Sequence, residues 1–305
     1  MASPWKVAIS GASGLIGSAL VPFLIASGHE VFPLVRGVRQ SGGNAISWNP
    51  DTGQIDSQRC EGLDAVIHLA GENIAGKRWS KKQKERIRAS RVEGTRFLCQ
   101  SFARLKKPPQ VLISASAVGY YGERGDEILT ETSLPGTGFL SEVCQEWEGA
   151  AQSASSAGIR LIHLRLGMVL TPLGGALKKM LTPFRLCLGG CLGSGKQWQS
   201  WVALHDVLSI CLYLLQQEKL SGPVNAVSPS PVTNREFTVI LGKALCRPTL
   251  FAVPGLFLKL LFGEMASALL LSSTRVLPEK LLQSGFTFQF GNLDGALKEL
   301  VLKQA

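Results

Sequence analysis

Short apolar runs alternate with longer segments of helical spacing through the first half of the chain. Lys6–Ser10, Glu30–Val35, 45–48, 65–69, 111–115 and 160–164 are rich in β-branched and apolar residues, and each is bounded by turn-forming residues, which predicts strands. Between them, apolar positions recur three and four residues apart across 15–27, a basic stretch from about Lys81 to Leu105, and 140–156, which predicts helices. Strands apolar on both faces, interleaved with helices, are what a parallel sheet covered on both sides requires. The expected fold class is therefore α/β, a Rossmann-type doubly wound parallel sheet with a smaller, mainly helical C-terminal domain.

The second half is less regular. A Gly/Pro-rich stretch spans 171–195, a helix is predicted near 207–217 and a short strand at 223–227, and helical spacing then runs to the end. This predicts a Rossmann domain over 1–170 whose sheet is completed by 204–228, with 171–203 and 229–305 forming the substrate domain. The most apolar stretch, 251–271, is broken by Pro254, Lys259 and Glu264, so it reads as a core or interface helix and not a membrane span.

Composition narrows the class. With 45% apolar and 18% charged residues among 305, the chain is globular and not disordered. Met1 leads straight into a strand-like run without a basic, then apolar, leader, which predicts a cytoplasmic protein. The seven cysteines are scattered and lack CxxC spacing, and the four histidines are dispersed, so a reducing compartment and no metal are expected. Cys187 and Cys191 are the one close pair, at a spacing that suits a helix better than a metal site. The net charge of +10 is concentrated between Lys77 and Lys107. Three readings fit that run: a solvated helix face, attraction of a polyanionic cofactor, or nucleic-acid binding. Only Trp79, Phe97 and Phe102 interleave the charges, too few for a stacking platform, so a nucleic-acid partner is not expected.

The strongest chemical signal is Ser10-Gly11-Ala12-Ser13-Gly14-Leu15-Ile16-Gly17, directly after the first predicted strand and opening a helix. In such a loop Gly11 makes the tight turn, Gly14 lets phosphate oxygens approach the backbone, and Gly17 lets the helix pack closely on the strand. The amides of Ser13, Gly14, Leu15 and Ile16 then face a pyrophosphate at the positive end of the helix. Arg36 closes the second strand, where NAD enzymes place an acid on the ribose hydroxyl. An arginine there pairs with a 2′-phosphate instead, which favours NADP, and Arg39 is placed to assist. Leu69, Ala70 and Gly71, at the end of the fourth predicted strand, let backbone run beside the adenosine half of the cofactor.

These motifs resemble the extended and atypical short-chain dehydrogenases/reductases, whose glycine signature is GxxGxxG. More narrowly, the chain resembles the sugar-nucleotide-epimerase-like family that carries its own C-terminal domain. The resemblance runs through His68-Leu69-Ala70-Gly71-Glu72-Asn73, Ser90-Arg91, Ser114-Ala115-Ser116-Ala117-Val118-Gly119-Tyr120-Tyr121-Gly122, Gly193-Ser194-Gly195-Lys196-Gln197-Trp198 and Arg275-Val276-Leu277-Pro278. It implies that Ser116 hydrogen-bonds the substrate oxygen, that Arg91 reaches the cofactor from the basic helix, and that Val169 makes a backbone contact near the nicotinamide. For Arg91 a plain solvated helix charge is an equal reading.

Two departures stand out. The superfamily's Tyr-x-x-x-Lys, whose tyrosine is the general acid/base, is absent, and Leu140 and Cys144 occupy its positions. Tyr121, or Tyr120 beside it, is the candidate to supply a phenol, with Arg124 or Glu142 nearby; the alternative is a packed aromatic pair. Within Trp201-Val202-Ala203-Leu204-His205-Asp206, Ala203 and His205 replace the histidine and aspartate of relatives, and Asp206 reads as a helix cap. Gln197, Gln199, Ser200 and Trp201 either line a substrate pocket or pack between domains. The resemblance implies an NADP(H)-dependent oxidoreductase or epimerase acting on a small polar or nucleotide-linked substrate. The alternative is a non-catalytic NADP(H)-binding regulator, since some members of the family are described as cell-division factors.

Overall fold

A computed structural model describes residues 4–37 and 43–302. Eight strands form the main sheet: β1 (Lys6–Ser10), β2 (Glu30–Val35), β3 (Ile46–Asn49), β4 (Gln54–Ile55), β5 (Ala65–His68), β6 (Val111–Ala117), β7 (Arg160–Leu166) and β8 (Gly222–Ala226). The helices used below are α1 (Gly17–Ala26), α2 (Lys81–Ala103), α3 (Phe139–Ala150), α4 (Gly175–Arg185), α5 (Leu204–Gln216) and α6 (Gly255–Phe262).

The sheet order is β8-β7-β6-β5-β1-β2-β3-β4, and only the β3–β4 pair is antiparallel. Strand period two explains how this sheet is buried on both sides. Val7, Ile9, Ile67, Ile113 and Ile162 face Leu20 and Leu24 of α1 and Val207, Ile210 and Cys211 of α5. Ala8, Val66, Leu112 and Leu161 face the opposite way, onto Leu98, Cys99 and Phe102 of α2. The chain leaves β1 toward β2 on one side and later returns to β5 on the other. This reversal opens a crevice beyond the carboxyl ends of β1 and β5, where ligands bind in sheets of this kind.

The α2 helix begins where Ser80 accepts a hydrogen bond from the Gln83 amide, an N-cap that its Ser-Lys-Lys-Gln sequence supplies. The stretch 140–156, expected as one helix, is two: α3 and a short Gln152–Ser156 turn of helix. The ladder changes pitch there, with the Ala151 amide bonding to Glu148 O and the Ala154 amide to Ala151 O. Beyond the sheet, Leu177, Leu181 and Phe184 of α4 pack with Trp201, Phe237, Leu241 and Leu297 in a separate core.

Two expectations are corrected here. Residues 251–271, expected as a core or interface helix, are not one helix but a strand (Phe251–Val253, paired with Gly190–Leu192), α6, and a further helix (Glu264–Leu269). Pro254 ends the strand, Gly263 turns at φ +61° between the helices, and Leu258 is the single buried residue of α6. Cys187 and Cys191 do not share a helix: α4 ends at Arg185, Cys187 sits in a left-handed turn, and Cys191 lies in the strand.

Candidate active site

The glycine loop leaves β1 and turns at once, the Gly14 amide donating to Gly11 O at 2.9 Å. Gly11 has φ +70°, and a Cβ there would lie 2.8 Å from the Leu69 carbonyl carbon. A Cβ on Gly17, the first residue of α1, would collide with the Gly11 carbonyl oxygen. Two of the three glycines are thus dictated by backbone packing. Among the described residues, the amides of Ser13, Leu15 and Ile16 bond to no acceptor in the chain, and Ser13 and Gly14 are exposed. Unpaired amides at a helix N-terminus, with no side chain over them, form a cradle that fits a pyrophosphate. Leu15 closes the far side, its side chain lying against Gly174–Gly175 at the start of α4, with the Val169 carbonyl beside Gly175. Val169 and the loop are therefore neighbours across Gly175.

The rim on the β2 side holds Arg36. Ser10 pairs in register with Leu34, so Arg36 leaves the sheet two residues beyond the level of Ser10, next to the loop. It is exposed, and its nearest carboxylate is Asp51 at 4.0 Å. Arg39 lies outside the described residues.

The segment after β5 is fastened from three sides. Ser10 Oγ accepts the Leu69 amide at 3.2 Å and pairs with His68 Nδ1 at 2.5 Å. His68 Nε2 meets Thr95 Oγ1, which also accepts from Trp147 Nε1 at 2.8 Å. Burial lowers the His68 pKa to about 4, so this imidazole is neutral. Ser90 Oγ accepts the Glu72 amide, and Arg91 Nη1 donates to Glu72 O at 3.0 Å. Arg91 is not a freely solvated charge: it is half-buried, against Gly71 and over the Trp147 ring, and desolvation lowers its pKa. Its role here is to shape the backbone at Leu69, Ala70, Gly71 and Glu72.

Ser116 ends β6 inside a buried polar cluster. Its hydroxyl donates to Glu148 Oε1 at 2.7 Å. Arg165, near the end of β7, grips both Glu148 oxygens, Nε to Oε1 and Nη2 to Oε2, each at 2.8 Å. Arg165 Nη1 donates to the Tyr121 hydroxyl, which donates in turn to Asn225 Oδ1 at 2.7 Å. Burial opposes the Arg165 charge, but the Glu148 carboxylate more than offsets it, so the guanidinium titrates above its ordinary value. The Tyr120 ring lies flat beneath it, 3.5 Å from the guanidinium carbon to the ring centre.

Tyr121 is fully buried, both its hydrogen bonds are committed, and burial pushes its phenol up to about 12. That is a poor acid/base and a good clamp on Arg165. Arg124 and Glu142, expected beside it, pair instead with Glu127 and with Arg88. Leu140 and Cys144 sit where the sequence placed them, packed on Gly119 just after Ser116, and burial raises the Cys144 thiol to about 12.

Most remaining candidates are structural. Gln197 donates to Leu192 O and Leu270 O, Ser200 bridges Thr274 O and the Val276 amide, and Trp201 donates to Ser230 O. Gln199 differs, because its buried Oε1 has no partner. Asp206 does not cap its own helix. It accepts the Gln289 and Phe290 amides and so pins the C-terminal segment to α5, while His205 sits exposed between Phe23 and Phe290. Sequence reasoning missed the roles of Glu148, Arg165 and Asn225. One signal was available: an arginine inside the apolar run of a central strand is buried and needs an acidic partner.

Residues 7–226 match the NAD dependent epimerase/dehydratase family, and residues 253–300 match a domain of unknown function, DUF1731. The epimerase family protein Mb2239 of Mycobacterium bovis is 42% identical over 291 residues, covering 95% of this chain and 96% of that protein. Among solved structures, the human epimerase family protein SDR39U1 (isoform 2) with NADPH superposes with a TM-score of 0.89 at 33% identity, covering 97% of this chain and 99% of that one. A nucleoside-diphosphate sugar epimerase from Corynebacterium glutamicum gives 0.80 at 38% identity, over 98% of this chain and 58% of that one.

Proposed function

The chain belongs to the NAD dependent epimerase/dehydratase family, and we propose that it is an NADP(H)-dependent oxidoreductase or epimerase whose acid/base pair is Ser116 and Glu148. The Ser13, Leu15 and Ile16 amides hold the pyrophosphate, and exposed Arg36 meets the 2′-phosphate that distinguishes NADP from NAD. A nicotinamide cofactor held there would supply hydride transfer to or from a substrate carbon.

The observation that carries the reading is the 2.7 Å hydrogen bond from Ser116 to Glu148. Because the Ser116 proton already points at the carboxylate, its oxygen is left as an acceptor for a substrate hydroxyl. The substrate proton passes to Ser116 Oγ as the Ser116 proton passes to Glu148 Oε1, and carbonyl reduction reverses both transfers. Arg165 fixes the carboxylate in a two-pronged grip, and Tyr121 and Asn225 fix Arg165. This relay does the work of the absent phenol. A small polar or nucleotide-linked substrate suits the basic α2 and the unpartnered Gln199 oxygen. The Corynebacterium neighbour, named for a nucleoside-diphosphate sugar, favours the nucleotide-linked kind.

The test is a turnover screen with NADPH over carbonyl and sugar-nucleotide substrates. Ser116→Ala and Glu148→Gln are each expected to lower kcat by about 10²–10⁴ with NADPH affinity unchanged. Full turnover in either variant overturns the relay. A second reading, a non-catalytic NADP(H)-binding regulator, is favoured by Leu140 and Cys144 packing as plain core on Gly119. Tight NADPH binding with no turnover across the screen would select it.

A further inference from the structure

We propose that α6 and the two loops beside it form a face that docks peripherally on an anionic phospholipid surface. The α6 helix follows Pro254 and projects from the body, with Leu258 the one residue it buries. Leu256 is 72% exposed and Leu260 68%, and Phe257 and Leu261 extend the same face at helical spacing. The face continues onto the neighbouring loops. Phe251 pairs in register with Gly190, which places exposed Leu250 and Phe251 beside exposed Leu188. Isolated exposed apolar residues are ordinary on a protein surface, whereas a contiguous set of this size marks an interaction site.

The charge around the face selects its occupant. Residues 171–200 carry four cations and residues 240–264 three, against a single carboxylate, Glu264, which is paired with Lys84. All seven cationic side chains are exposed; Lys259 lies on α6 itself and Arg247 reaches Arg185 O close to exposed Leu188, whereas Lys243 turns to Asp294. Leucine and phenylalanine rimmed by lysine and arginine is the composition that inserts at the headgroup boundary of an anionic bilayer. A second copy fits poorly, because an isologous contact would set one cationic rim against another. A protein partner fits less well than a bilayer too, since Lys259 is the only polar side chain α6 offers to fix a register. No helix among the described residues is long and apolar enough to cross a membrane, so the contact is peripheral. The face is also tied to the rim of the candidate active site: Lys84 pairs with Glu264 at 2.9 Å, and Lys179 Nζ donates to Ala75 O. Docking therefore holds the loop after β5 close to the headgroups.

The test is flotation of the full chain with vesicles of phosphatidylcholine alone or with about one third phosphatidylglycerol. The chain is expected to float with the anionic vesicles only, and to release about tenfold as salt rises from roughly 0.1 to 0.5 M. Leu256→Ser with Leu260→Ser, both exposed, should weaken binding about tenfold or more while the thermal midpoint and NADPH affinity hold. Lys259→Glu, a second and milder change, should weaken it without touching the apolar face. Failure of the intact chain to bind anionic vesicles overturns the proposal, as does binding that the paired variant leaves unchanged. A dimer in sedimentation that the same pair converts to monomer also overturns it, and assigns the face to a second copy.

Discussion

The glycine loop and the Ser116 cluster stand at the same edge of the sheet, beyond β1 and β6, and are made by opposite means. The loop is built from backbone. Its determinants are seven consecutive residues, and steric contact alone forces Gly11 and Gly17. The cluster is built from side chains, with Ser116 and Tyr121 from one segment and Glu148, Arg165 and Asn225 from three others; Tyr121 and its partner Asn225 are 104 positions apart. A backbone site tolerates almost no change in side-chain volume but carries no charge that must be compensated. A side-chain site is the reverse: it tolerates reshaping around it, but every member depends on the others for its charge or its hydrogen bonds.

That contrast sets the size of each expected effect. Arg165→Met should be the most damaging, because it strands the Glu148 carboxylate and removes a donor to Tyr121. About 3–5 kcal/mol of stability should be lost in urea denaturation, and a loss below about 1 kcal/mol would mean that the pair is not a buried charge couple. Next is His68, which joins the two sites through Ser10 and Trp147. Its folded pKa of about 4 lies below the ordinary 6.5, so the unfolded chain takes up the proton first. Stability should therefore fall as pH drops from about 6.5 to 4, by about 3 kcal/mol from this group. Glu131 and Asp206, whose carboxyls burial raises, act with the opposite sign. The difference in slope between the native chain and His68→Gln isolates the imidazole, and identical slopes would refute its burial as a neutral group.

Smaller effects are expected at the loop. Gly17→Ala should weaken NADPH about a hundredfold in a fluorescence titration, since the new Cβ has to displace the Gly11 carbonyl. Tight binding by that variant would mean that the loop yields freely and that its glycines are not steric. Arg36→Ala is expected to cost roughly tenfold for NADPH and almost nothing for NADH.

The same contrast governs what the sequence disclosed. The sheet was legible because strands buried on both faces write themselves as unbroken apolar runs, Val7-Ala8-Ile9 and Ala65-Val66-Ile67, and the cofactor cradle because glycines at fixed spacing are a local necessity. The clamp on Tyr121 was not legible. Adjacency to Ser116 suggested a free phenol, but Arg165 and Asn225, which hold that phenol, arrive from β7 and β8 with no spacing to announce them. Arg91 was ambiguous for a related reason: it lies among exposed lysines and arginines, and only the packing of α2 on Trp147 shows that it faces inward. Apolar composition at 251–271 does not separate a core helix from an interface one, and the fold leaves α6 projecting with Leu258 its one buried residue.

The most direct test of the central claim is a paired titration of the purified chain with NADPH and NADH, repeated with Arg36→Ala. The account predicts that NADPH binds at least about ten times more tightly than NADH and that the substitution erases the preference. Equal affinity for the two dinucleotides in the native chain, or no binding of either, would contradict it.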